Sequence, residues 1–173
     1  EVIGLVGVAE HGVHQSGVDS RGPDVGGEDV RFLDPALRLR LGNAYLELAI
    51  RHGLPREQLE DARDQFEDVV REDPGEIKAL ASLGLAYGYL AKIERATKRR
   101  RELFKLAARN CQDALRQKPT DDRSMRNLGL IYETQGRIEN NPRRIKDAIR
   151  QYEEAISIRP DSRLYHRELG LLY

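Results

Sequence analysis

The sequence predicts an all-α fold, a right-handed solenoid of helical hairpins preceded by a non-helical arm rich in glycine and valine. Two observations carry that prediction and a third narrows it. The phrase Leu-Gly-x-x-Tyr is written four times, at Leu41, Leu83, Leu128 and Leu169, and returns every 41 to 45 residues. Between successive copies lies a second phrase with its own fixed spacing: Ala62, Phe66, Val69, Pro74, then Ala107, Cys111, Ala114, Pro119, then Ala148, Tyr152, Ala155, Pro160. Two phrases alternating in constant order mark a helical repeat array. No apolar run reaches the roughly 18 residues of a membrane-spanning helix, and 34% of the chain is charged, so no membrane insertion is expected.

Residues 1–33 are a different material. Seven of the fifteen glycines lie there, with valines between them and no helical period. Up to Asp34 seven acids stand against two bases, while the whole chain is neutral, so the remainder is basic. That complementarity makes the arm an expected ligand for its own repeat region or a neighbour's. The arm lacks the basic start of a signal peptide.

The array is expected from residue 34, with units at 34–74, 75–119 and 120–160 and a partial fourth at 161–173. Asp34-Pro35 opens the first helix as cap and first-turn proline. Gly and Tyr of the first phrase lie three residues apart and share a helical face. Glycine inside a helix costs about 1 kcal/mol against alanine, so its fourfold use implies a close approach by another helix. In the second phrase Ala, a large residue and Ala follow i, i+4, i+7 and form one stripe. Each closing proline then stops the second helix. Gly53-Leu54-Pro55 marks the first internal turn and Gly136 through Asn141-Pro142 the third. The second falls between Ala91 and Lys98, where no breaker stands.

These residues resemble the tetratricopeptide repeat family, whose pattern is Leu-Gly-x2-Tyr, Ala-x3-Phe and Pro. The usual leading Trp is replaced by Arg38, Leu80, Met125 and His166. The units exceed the family's 34 residues by about 8, 11 and 7, close to whole helical turns. Lengthened helices, not long loops, are the expectation. The resemblance implies a concave groove lined by the first helix of each unit. Its residues would be Leu39, Asn43, Leu46, Lys78, Leu85, Tyr89, Arg123, Arg126, Leu130 and Arg167. That is an apolar floor with bases toward the C-terminal half, suited to a peptide segment carrying apolar and acidic residues. Some family members clamp a terminal carboxylate with Lys and Asn; only Asn43 matches that set, with Leu39 and Asn127 where bases would stand, so that docking function is not carried over.

The expected function is therefore a protein-interaction scaffold or adaptor that binds a peptide or partner protein and assembles a larger complex. The alternative is a nucleic-acid-binding array using the basic second hairpin, whose later helix carries Lys98, Arg99, Arg100, Arg101, Lys105 and Arg109. The preferred reading of that run is structural: the acidic helix of the first unit, with Glu57, Glu60, Asp61 and Asp64, should lie beside it and steady it by surface ion pairs. The last helix, with Leu164, Leu169, Leu171, Leu172 and Tyr173, should present an apolar flank open to self-association. The reading names no enzyme activity, catalytic residue, metal or cofactor. His11 and His14 lack a carboxylate or cysteine partner, and Cys111 sits on a small-residue stripe where a thiol packs as an apolar group. Composition leaves the compartment open, with the cytoplasm favoured.

Overall fold

The computed structural model describes residues 34–173, and the arm with its expected docking lies outside them. Among the described residues there are seven helices and no strand: α1 Pro35–Arg51, α2 Arg56–Glu72, α3 Ile77–Ile93, α4 Thr97–Gln117, α5 Asp122–Ile138, α6 Pro142–Ile158 and α7 Arg163–Gly170. Odd and even helices pair as antiparallel hairpins, each odd helix also packs on the even helix before it, and α3 touches both α1 and α5. The result is a helical-hairpin solenoid. Its extra length lies in the helices. Five of the first six span 17 residues and α4 spans 21, about 25 to 31 Å at 1.5 Å per residue.

Helix ends follow side-chain chemistry. Asp34, Glu76, Asp121, Asn141 and Ser162 each accept a backbone N–H of the turn that follows, which satisfies donors that the helix leaves orphaned. Gly53 and Leu54 take positive φ angles of 82° and 64° to turn α1 into α2. The second internal turn, which has neither Gly nor Pro, is made by Glu94. Its carboxylate accepts the N–H groups of Arg95 at 2.8 Å and Ala96 at 3.0 Å and pulls the chain out of the helix. The Ala96 N–H, helped by Arg56, holds that carboxyl below its usual range.

The two sequence phrases meet face to face. A Cβ at Gly42 would fall 2.6 Å from the Phe66 ring, one at Gly84 2.5 Å from Cys111 Sγ, and one at Gly129 2.7 Å from the Tyr152 ring. Phe66, Cys111 and Tyr152 are fully buried. A hydroxyl ladder adds to this interlock. The Tyr87 hydroxyl donates to Glu67, Gln112 donates to the Tyr132 hydroxyl at 3.1 Å, and the Tyr173 hydroxyl reaches Glu153 at 3.4 Å. Each partner stands 20 residues earlier, on the second helix of the preceding hairpin.

The spacing of the first phrase leads one to expect all four motif tyrosines mostly buried, and the acids of α2 paired with the bases of α4; both need correction. Tyr132 is buried, Tyr45 and Tyr87 are half-buried, and Tyr173 is 85% exposed. Tyr173 follows α7, and no further helix among the described residues packs over it, so Gly170 likewise meets nothing within 4 Å. Nor do the acids of α2 pair with the bases of α4. A cleft with Val70, Leu80, Leu83, Tyr87 and Leu106 in its walls separates the two helices. They meet through Glu94, which pairs with Arg56 of α2 at 3.2 Å and Arg99 of α4 at 3.5 Å. The apolar flank of the last helix is present, with Leu164 and Leu171 exposed.

Gly84→Ala should destabilise by about 1–3 kcal/mol in urea denaturation, the cost of overpacking, because the added methyl would also lie 2.9 Å from the Ala107 carbonyl, which cannot rotate away. Gly170→Ala, with open space around it, should be neutral or gain up to about 1 kcal/mol from helix propensity. Burial pushes the Cys111 thiol up to about 12. Iodoacetamide at pH 8 should therefore label it only on the timescale of unfolding; immediate labelling of the folded protein would contradict this packing.

Candidate functional site

The odd helices α1, α3 and α5 lie side by side and give the solenoid one face built entirely from first helices. Gly88 allows the approach of α5, since a Cβ there would lie 3.0 Å from Ile131. Around that contact is a small depression lined by Leu85, Gly88, Tyr89, Leu130, Ile131 and Thr134. A second, wider one is lined by Ile50, Gly53, Leu54, Tyr89, Lys92 and Ile93. Tyr89 belongs to both. It is half-buried, and burial raises its phenol above the ordinary range, so the ring is neutral and presents an apolar body with one polar tip.

The ten groove residues fall into three groups. Leu39, Leu85, Tyr89 and Leu130 are half-buried on this face, and Asn43, Lys78, Arg123 and Arg167 are exposed. Lys78, Arg123 and Arg167 make no ion pair with any described residue. Leu46 and Arg126 depart from expectation. Leu46 is 5% exposed and packs with Ala49, Leu59 and Phe66 in the core. One helical turn further on, Ile50 is 45% exposed and lines the wider depression.

Arg126 spends its charge internally. Its guanidinium donates to Glu168 of α7 through Nε at 3.0 Å and Nη2 at 2.6 Å. Burial works against that charge, but Glu168 outweighs it and holds the guanidinium above its ordinary range. Beside it, Asp122 accepts the Tyr165 hydroxyl at 2.6 Å and pairs with Arg159 at 3.0 Å. The C-terminal third of the face is thus braced by polar contacts between α5, α7 and the end of α6.

The two asparagines differ. Asn127, 3% exposed, donates its amide to the Ala81 carbonyl at 3.1 Å, whereas Asn43 is exposed and commits only its Oδ1, which accepts the Ser82 hydroxyl at 3.1 Å. The residues that sequence reasoning missed are Ile50, Leu54, Lys92, Ile93 and Thr134. Ile50 and Ile93 stand four residues after Leu46 and Tyr89, so continuing the same helical face by one turn would have found them.

Among the described residues no group of three or more His, Cys, Asp or Glu could hold a metal ion, and no helix is long and apolar enough to cross a membrane. His11 and His14 lie outside the described residues.

The fold recurs in solved structures at low identity. The Arabidopsis OM64 tetratricopeptide-repeat domain superposes with a TM-score of 0.58 at 14% identity, over 80% of this chain and 93% of that one. A thermophilic repeat protein of Thermus thermophilus gives 0.68 at 20% identity, over 81% of this chain and 64% of that one. The second repeat domain of human RPAP3, solved in complex with the HSP70 peptide SGPTIEEVD, gives 0.55 at 13% identity, over 80% and 98%. No curated protein sequence matches the chain. Residues 31–135, which run from before α1 through most of α5, match the family described as plant-specific mitochondrial import receptor subunit TOM20. With that match over more than half its length, and with its repeat phrases folded as interlocked hairpins, the chain is a tetratricopeptide-repeat protein belonging to the plant-specific TOM20 import receptor family.

Proposed function

We propose that this protein is a receptor module for mitochondrial protein import that captures a segment of a partner protein on its odd-helix face. The observation that carries the reading is the apolar strip centred on Tyr89 on a face whose helices α3 and α5 carry Lys78 and Arg123 in their first turns, neither making an ion pair with any described residue. The family description supplies the receptor role. The RPAP3 structure shows a similarly folded domain in complex with a short peptide of another protein.

A captured segment would lay leucine-like side chains against Leu85, Tyr89, Leu130 and Ile50 and direct carboxylates toward Lys78 and Arg123. Helix-in-groove recognition uses anchors of this kind at i, i+3, i+4 and i+7. Charges at such a rim act on association rate and on partner choice more than on affinity. Arg126 contributes geometry, not charge, because its Nε and Nη2 are already engaged by Glu168. The exposed edge of α7 adds a second contact in this reading, self-association through Leu171 and Tyr173.

Fluorescence anisotropy with two labelled amphipathic peptides tests the reading, one pairing leucines with glutamates and the other the same leucines with lysines. The acidic peptide should bind more tightly at low salt, and Tyr89→Asp should weaken both at least ten-fold. The K78E/R123E variant should invert the preference. Equal binding of both peptides by wild type and by Tyr89→Asp would remove the groove from the account. Arg126→Ala should destabilise the fold by about 3 kcal/mol, because a Glu168 carboxylate that is 7% exposed then loses its partner. The double variant with Glu168→Gln should recover part of that loss in a double-mutant cycle. Sedimentation should show concentration-dependent self-association that Leu171→Asp reduces.

A further inference from the structure

We propose that the N-terminal halves of α4 and α6, together with the turn between α5 and α6, form a surface that seats this protein on an anionic lipid membrane. The surface is separate from the groove and is built of second helices. The first two turns of α4, residues 97–105, carry five bases and only Glu102 as an acid. Residues 142–150 of α6 carry four bases and only Asp147. Residues 56–64 of α2 read the other way, with two bases and four acids.

Local stability does not account for this charge. The N-terminus of a helix carries partial positive charge and favours acids. Neither α4 nor α6 has an acid in its first turn, and α4 has no side-chain cap. Two elements therefore place cations where the helix dipole opposes them. Ion pairing absorbs only part of the charge: Arg99, Arg101, Lys105, Arg144 and Arg150 have acidic partners. Lys98, Arg143 and Lys146 are exposed and make no ion pair with any described residue.

The two basic segments are tied to the same part of α5 and the turn that follows it. Arg101 of α4 reaches Glu139 at 3.3 Å, and Glu139 stands three residues before α6 begins. Gln112 of α4 donates to the Tyr132 hydroxyl, while the Arg144 guanidinium of α6 lies 5.0 Å from the centre of the same ring. Ile138, the last residue of α5, is 37% exposed at this turn.

That isoleucine separates lipid from nucleic acid. Binding to single strands uses exposed aromatic rings on which bases stack, but Phe104 and Tyr152, the aromatic residues of α4 and α6, are buried. Tyr132 is covered by Arg144. Exposed bases on two helix starts, with an exposed aliphatic side chain at the turn between α5 and α6, suit a headgroup layer, where cations meet anionic lipid and the aliphatic group enters the acyl boundary.

Co-sedimentation of the full chain with phosphatidylcholine vesicles, with and without about one-fifth phosphatidylserine, tests the proposal. Binding should require phosphatidylserine and fall with added salt. K98E, R143E and K146E should each weaken it at least about five-fold, the factor that one base near an anionic surface contributes. Ile138→Ser should weaken it further while leaving the salt dependence unchanged. All four substitutions are at exposed positions, and peptide capture on the odd-helix face should be unaffected by them. Equal binding to neutral vesicles, or full binding by K98E/R143E/K146E, would overturn the proposal. So would DNA binding tighter than vesicle binding that the same bases control and Ile138→Ser does not alter.

Discussion

Each hairpin depends on one contact in which a glycine on the first helix receives a large or polarisable side chain from the second. The pairs Gly42–Phe66, Gly84–Cys111 and Gly129–Tyr152 leave no room for a methyl group. They fix the separation and the rotation of the two helices together, because a side chain seated over a bare backbone admits little sliding. Dense interiors tolerate few such substitutions. Once that rotation is set, the remaining faces follow. The alanines of the second phrase turn inward, the motif tyrosines reach back to the preceding hairpin, and the outer stripe of each first helix joins the common face.

Polar contacts then set the register between hairpins where apolar packing would not. Asn127 donates to the Ala81 carbonyl of α3, and Asn43 accepts from Ser82. Asp122 gathers Tyr165 and Arg159, and Arg126 gathers Glu168. An apolar seam between stacked helices has many near-equivalent registers, whereas a buried donor left without its acceptor is costly.

Much of this was legible in the sequence because it is periodic. Four copies of one phrase and three of another disclose the helices and their pairing. Single, aperiodic events were less legible. Glu94 ends α3 by accepting two backbone N–H groups, a role that carboxylates rarely advertise by type. Leu46 turns into the core because it continues the buried stripe of Arg38, Gly42 and Ala49, and Ile50, seven residues after Asn43, takes the outward position. The acids of α2 and bases of α4 are consecutive in the repeat order, yet α3 rises between them and leaves a cleft. Composition gives the sign of each helix; only packing gives the distance between them.

The division of labour between first and second helices follows from the same geometry. First helices are pressed together and present their shared surface with apolar side chains half-covered, so that surface has depth and can select a shape. Second helices stand farther apart, and their outward stripes are charged. Such stripes cannot enclose a peptide, but they can meet an extended charged plane at several points at once. Attraction to a plane of like charges accumulates with the number of cations that reach it and falls off within about 10 Å at 0.1 M salt. A row at the helix starts therefore acts together only if it lies near one level. The short turns do this by bringing α4 and α6 to begin on the same rim, each four residues after its partner ends.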